Sequence, residues 1–304
     1  MLSLEQRVDK LEKSVVYSEG TKRKRSTALL FLGSLFGLFG FFFAFITGFM
    51  KSLSEESAYP SGKGYFPPTV SEMVHNPADP AGKAFFAFEF IGASFIFLSY
   101  YPWNLRNVYI GDDDVAFCGI SWPMVRQFLP APGMMLVATV TTTPINQATI
   151  RDWITIFIHL CGAMMCFVGY IFVEGKTLGW LCIQPPEHGA ATFKRGEKCM
   201  RTWWLNGIAF WYILFFAIQI LLGIPGIPIA TADEYSVVDG VMTLTDTASG
   251  LFLYLKVLSY ASEVFCGVCL IGSHLTIWYF CDERDIDLDN KLQGVQGDYT
   301  ALES

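Results

Sequence analysis

Between Thr27 and Met50 the chain runs for 24 residues without a charge, and further apolar windows follow at about 84–102, 127–145, 153–173, 203–224 and 250–280. Each is near or above the ~17–25 residues that a helix needs to cross a bilayer. In lipid a backbone must satisfy its own hydrogen bonds, so such stretches fold as helices. The reading is an all-α polytopic membrane protein with six transmembrane helices. A composition of 52% hydrophobic and 16% charged residues fits that class better than a soluble enzyme of 304 residues. Thr27–Met50 is too long for a signal-peptide core and reads as an uncleaved first span. In the third window, Pro130, Pro132 and Gly133 predict a kinked or partly unwound helix packed against protein.

The basic residues orient the bundle. Six spans put both termini on one side, and the segments assigned to that side hold 16 Lys or Arg against 4 on the other. By the positive-inside rule both termini are cytosolic. Aromatic residues at the ends of three spans, Tyr100-Tyr101 with Trp103, Trp203-Trp204 and Trp278-Tyr279, fall at the same interface. The domain reading is a cytosolic amphipathic and basic tail (1–26), a transmembrane domain (27–281) and an acidic cytosolic tail (282–304). The net charge of -7 is unevenly spread, and no nucleic-acid partner is expected from it. Eight cysteines lie in spans or in segments on the cytosolic side, so no structural disulfide is expected.

Two features of the tails carry information. Leu4, Val8, Leu11 and Val15 form a short amphipathic pattern whose bland reading is a solvated helix. Tyr299-Thr300-Ala301-Leu302 fits a tyrosine-plus-bulky-residue sorting signal, with Tyr299 and Leu302 as the residues a sorting adaptor would read. Asp285, Asp287 and Asp289 start like a calcium loop, but Asn290 and Gln296 replace the required Gly and Glu.

Ionisable residues inside the spans point to the functional region. Lys256, Glu263 and His274, at spacings of 7 and 11 residues, fall within roughly 20° of one another on a helix. Buried charges cost roughly 2.5–3.5 kcal/mol each on insertion scales and normally face a bundle interior. Counting 1.5 Å per residue from the lumenal ends, Glu89, His159 and Lys256 lie roughly 8–10 Å deep and Glu263 about 20 Å deep. These four are expected to share a lumenal cavity. His274 lies deeper, as a further acid/base group or as a hydrogen-bonding residue of the fold. A carboxylate, an imidazole and an ammonium suit general acid/base work on a phospholipid headgroup, or simple recognition of one. No nucleophile elbow, P-loop, Gly-rich dinucleotide motif or His-rich metal motif occurs, and neither a metal nor a cofactor is expected. The pattern does not by itself establish catalysis.

Three segments resemble a family of six-span membrane proteins that includes the post-GPI-attachment lipid-remodelling factor and the DRAM autophagy modulators. Tyr65-Phe66-Pro67-Pro68-Thr69-Val70-Ser71 is similar to the aromatic-x-Pro-x-Val/Ile-Ser stretch of the family's first lumenal loop. His159, with Phe167 eight residues on, resembles a pair in its fourth span, and Glu263 followed by His274-Leu275-Thr276 and Phe280 resembles its sixth. The likeness covers roughly residues 27 to 281.

What the resemblance implies is work in the lumenal leaflet, in GPI-anchor acyl remodelling, on a membrane lipid or GPI-anchored protein in the Golgi or endoplasmic reticulum. His159, Glu263 and His274 would be the acid/base groups, and Glu89, Lys256 and Ser71 would hold lipid. Two other classes stay open: a non-catalytic endolysosomal or plasma-membrane regulator of DRAM type, and a proton-coupled transporter.

Overall fold

The structure is a computed structural model and describes residues 25–47, 70–74, 78, 80–100, 115–117, 120–140, 150–183, 185, 193–223, 235–238, 241–244, 254–255 and 257–280. The amino-terminal amphipathic pattern, Lys256, and the sorting pattern at Tyr299 and Leu302 lie outside the described residues.

Among the described residues five helices are long and apolar enough to cross a membrane: Arg25–Thr47 (α1), Pro80–Ser99, Asp152–Leu178, Glu197–Leu221 and Val257–Phe280. Between the first two lies the single turn α2 (Val70–Met73), so Pro80–Ser99 is α3. The third rod comprises α6 (Ile150–Ala163), a π-helical stretch (Met164–Val168) and α7 (Gly169–Leu178). The last two are α8 (Glu197–Gly223) and α9 (Val257–Phe280).

The window expected at 127–145 is two short helices, α4 (Trp122–Phe128) and α5 (Pro130–Thr139), broken at Leu129. Pro130 and Pro132 have no N–H to give, so the carbonyls of Arg126 and Phe128 lose their helical partners where the rod breaks. Two small antiparallel hairpins, Val115–Phe117 with Ile120–Ser121 and Tyr235–Val238 with Val241–Leu244, add to the helical core expected.

The rods alternate in direction. Leu30 near the start of α1, Tyr100 after α3, Val125 in α4, Val173 in α7 and Ile277 near the end of α9 share one buried cluster. Ala44, Val70, Val74, Phe85 and Ala138 share another, with Tyr260 and Val264 packed on it. The start of α1 and the end of α9 are therefore at the same end, where the rings of Phe31 and Trp278 lie 4.6 Å apart.

Helices without a hydrophobic drive between them associate through close backbone approach and hydrogen bonds. At the α1–α3 crossing a Cβ on Gly33 would lie 2.8 Å from the Gly92 carbonyl, and one on Gly92 would lie 2.8 Å from that of Gly33. The α5–α6 crossing repeats the device: a Cβ on Gly133 would meet the Gly162 carbonyl at 2.6 Å, and one on Gly162 the Gly133 carbonyl at 2.9 Å. Polar pairs hold α9 instead: Gln219 donates to Ser259 at 2.6 Å, Trp204 to Thr276 at 2.9 Å, and Tyr170 pairs with Ser273 at 2.7 Å.

Candidate functional site

Three distant parts of the sequence meet at the end of the bundle where α1 finishes and α9 begins. The Glu263 carboxylate of α9 receives the Val70 N–H at 2.6 Å, the Ser71 N–H at 3.2 Å and the Ser71 hydroxyl at 2.7 Å. The first amides of a helix have no partner within it, so Glu263 caps α2 and fixes Ser71 in place. His159 of α6 approaches from the other side, with Nε2 3.2 Å from Ser71 Oγ. Its Nδ1 lies 2.7 Å from the carbonyl of Val140. Val140 follows the last residue of α5 in an extended conformation, so its carbonyl has left the helical ladder and can accept from the imidazole.

Proton counting shows what this arrangement can do. A carbonyl only accepts, so His159 Nδ1 carries hydrogen, and in a neutral ring Nε2 is then an acceptor. The single Ser71 proton faces two acceptors, Glu263 Oε1 and His159 Nε2. One more proton, on either the imidazole or the carboxyl, satisfies every contact. The trio is thus a hydroxyl held between two bases, with a place for one exchangeable proton.

Phe41, Phe42 and Phe45 of α1 and Tyr260, Val264 and Phe265 of α9 line an open apolar groove of about 420 Å³ that reaches Val70, the neighbour of Ser71. The described residues contain no cluster of three or more His, Cys, Asp or Glu that could hold a metal.

The expected four-residue cavity divides. Of its members, His159 and Glu263 come together, joined by Ser71, while Lys256 is outside the described residues. Glu89, buried at 3% exposure, faces α1 and lines a separate small cavity with His274. The cause is helix register. Gly37 and Gly40 bring the α1 backbone against the Glu89 carboxyl, where a Cβ on Gly40 would stand 2.5 Å from Oε1. Glu263 and His274 share a stripe of α9, as their spacing requires, but three turns apart they serve different neighbourhoods.

No protein-family model, curated protein or solved structure matches the chain.

A third polar cluster was not anticipated. At the opposite end of the bundle, Glu174 of α7 accepts from Arg126 at 2.6 Å and from Arg201 at 2.7 and 3.0 Å. Arg201 also reaches Glu197, one turn earlier in α8, at 3.0 Å. All four side chains are buried, and Arg126 lies over the rings of Tyr100 and Tyr170. Sequence reasoning used Arg126 and Arg201 only as topology markers. The available signal was the i,i+4 spacing of Glu197 and Arg201 beside a span that itself ends in an acid.

Proposed function

We propose that this is a six-span membrane protein, its third span the broken α4–α5 rod, that handles a lipid at the Ser71–His159–Glu263 site, in acyl remodelling of GPI-type anchors. The observation that carries the reading is the Ser71 hydroxyl held between a carboxylate and an imidazole near an open apolar groove. In this reading an acyl chain lies in the α1–α9 groove and a headgroup hydroxyl enters beside Ser71. Glu263 or His159 takes its proton, and Lys256 holds phosphate. The nearest backbone donors, the Val70 and Ser71 N–H groups, are already given to Glu263. Among the described residues no oxyanion hole accompanies Ser71, which favours recognition and proton transfer over a serine nucleophile. In this reading the basic residues face the cytosol and the site opens to the lumenal leaflet, in the Golgi or endoplasmic reticulum that the family resemblance implies.

The test is deletion followed by acyl analysis of GPI-anchored proteins. An altered acyl composition, restored by the wild-type chain but not by Glu263→Gln or His159→Ala, is expected. Normal anchors in the deleted cells overturn the assignment.

A second reading rests on the same contacts. Glu263 makes three hydrogen bonds within one turn of chain, which is what a structural latch does, and such a latch fits a non-catalytic membrane regulator. Full rescue by stable Glu263→Gln and His159→Ala proteins would select it.

A further inference from the structure

Away from the Ser71 site, the middle of the bundle encloses a cavity of about 40 Å³ whose walls are almost wholly apolar, with Glu89 and His274 on its lining. Each of these two side chains has, among the described residues, one buried polar atom without a hydrogen-bond partner, Glu89 Oε1 and His274 Nε2. The histidine's other nitrogen is 2.8 Å from the Leu270 carbonyl and must carry hydrogen to bond it, which leaves Nε2 of a neutral ring as a bare acceptor. Both orphans are therefore of one kind: the imidazole Nε2 and the carboxylate oxygen each accept. Burying such groups unpaired costs roughly 1–3 kcal/mol each, more for a charged one, so the cavity calls for something that donates.

We propose that this cavity binds one water and one proton, shared between the Glu89 carboxyl and the His274 imidazole. Size selects the water: a cavity of this volume holds about one, and a buried water needs two to four polar partners. Charge selects the proton. Among the described residues no Lys or Arg lines the cavity to balance a carboxylate. A hard metal ion needs about six oxygen ligands, whereas the other polar side chains on the wall are occupied: Ser34 donates to the Leu30 carbonyl at 2.8 Å and the Cys166 thiol faces Met134 sulfur at 3.9 Å. The remaining titratable neighbours lie behind His274. Tyr170 and Tyr100 pack on its ring at 4.9 and 6.4 Å, and Arg126, lying over those two rings, is held by Glu174. A proton entering here thus resides on Glu89, with the water as the link to His274 Nε2. This site stands apart from the lipid reading of Ser71 and survives its failure.

Infrared difference spectroscopy of the full chain in lipid nanodiscs tests it. A protonated-carboxyl stretch is expected in the wild type and absent in Glu89→Gln. It should shift in His274→Asn, which keeps a donor for Leu270 and removes Nε2. Superimposable wild-type and Glu89→Gln spectra would overturn the proton, and a band indifferent to His274→Asn would overturn the sharing. Thermal unfolding supplies a readout independent of the band. A midpoint that rises with sodium or potassium over choline at equal ionic strength, in wild type but not in Glu89→Gln, would mean a metal ion occupies the cavity and would likewise defeat the proposal.

Discussion

Ser71 Oγ and Glu263 Oε1 lie 2.7 Å apart although 192 residues separate them. That one bond ties the first turn after the long α1–α2 connection to the last rod of the bundle. Removing the carboxylate frees two backbone N–H groups as well as the hydroxyl. Glu263→Ala should therefore cost about 1–3 kcal/mol and Ser71→Ala less, about 0.5–1.5 kcal/mol. Thermal unfolding in detergent measures both, and equal losses would show that the capping bonds contribute nothing.

The buried charges around Glu174 make a sharper prediction. Stripping one partner from a buried pair costs about 3–5 kcal/mol because a charge is left uncompensated. Arg201→Met, which leaves two buried carboxylates, Glu174 and Glu197, with Arg126 as the one remaining cation of the four-residue cluster, should unfold at much lower temperature than the wild type. Replacing Arg126, Arg201, Glu174 and Glu197 together by Met and Leu, which leaves no buried charge behind, should recover most of the loss. A quadruple variant weaker than the single one would contradict this account.

Glycines at the α1–α3 crossing should not respond alike. An added methyl at Gly33 meets the backbone oxygen of Gly92, which cannot yield without parting the helices, whereas at Gly40 it meets the end of the Glu89 side chain. Overpacking of this kind costs about 1–3 kcal/mol. Gly33→Ala should fall at or above the top of that range and Gly40→Ala near its bottom, as read by unfolding midpoints. The reverse order would refute the close approach.

Cysteine accessibility tests the packing. Cys182 and Cys199 are exposed, while Cys166 and Cys266 are buried. In single-cysteine variants a membrane-impermeant maleimide should label Cys182 and Cys199 from the cytosolic side of sealed vesicles. Cys166 and Cys266 should react only after unfolding. Labelling of Cys182 from the lumenal side would invert the proposed topology.

What the sequence made legible follows from what local periodicity can encode. The apolar windows identified five long rods, and Pro130 marked the place where the remaining segment breaks, because a missing N–H is a local fact. The stripe joining Glu263 to His274 was equally local. Which groups those residues meet was not, since it depends on how α1, α3 and α6 slide against α9. Hence Glu89 went to the wrong neighbourhood, and Ser71, expected among lipid contacts, turned out to join the other two. Arg126 and Arg201 show the same limit: a charge beside a span reads as solvated until a partner from another helix, here Glu174, is seen to cover it.

The reciprocal glycine contacts have a mechanical consequence. Helices that touch backbone to backbone move as one body, so Gly33–Gly92 joins α1 to α3 and Gly133–Gly162 joins α5 to α6. If the bundle breathes, the compliant seam is the one between α1 and α9, where rings rather than backbones meet. That seam is also the flank along which a lipid tail would have to slip.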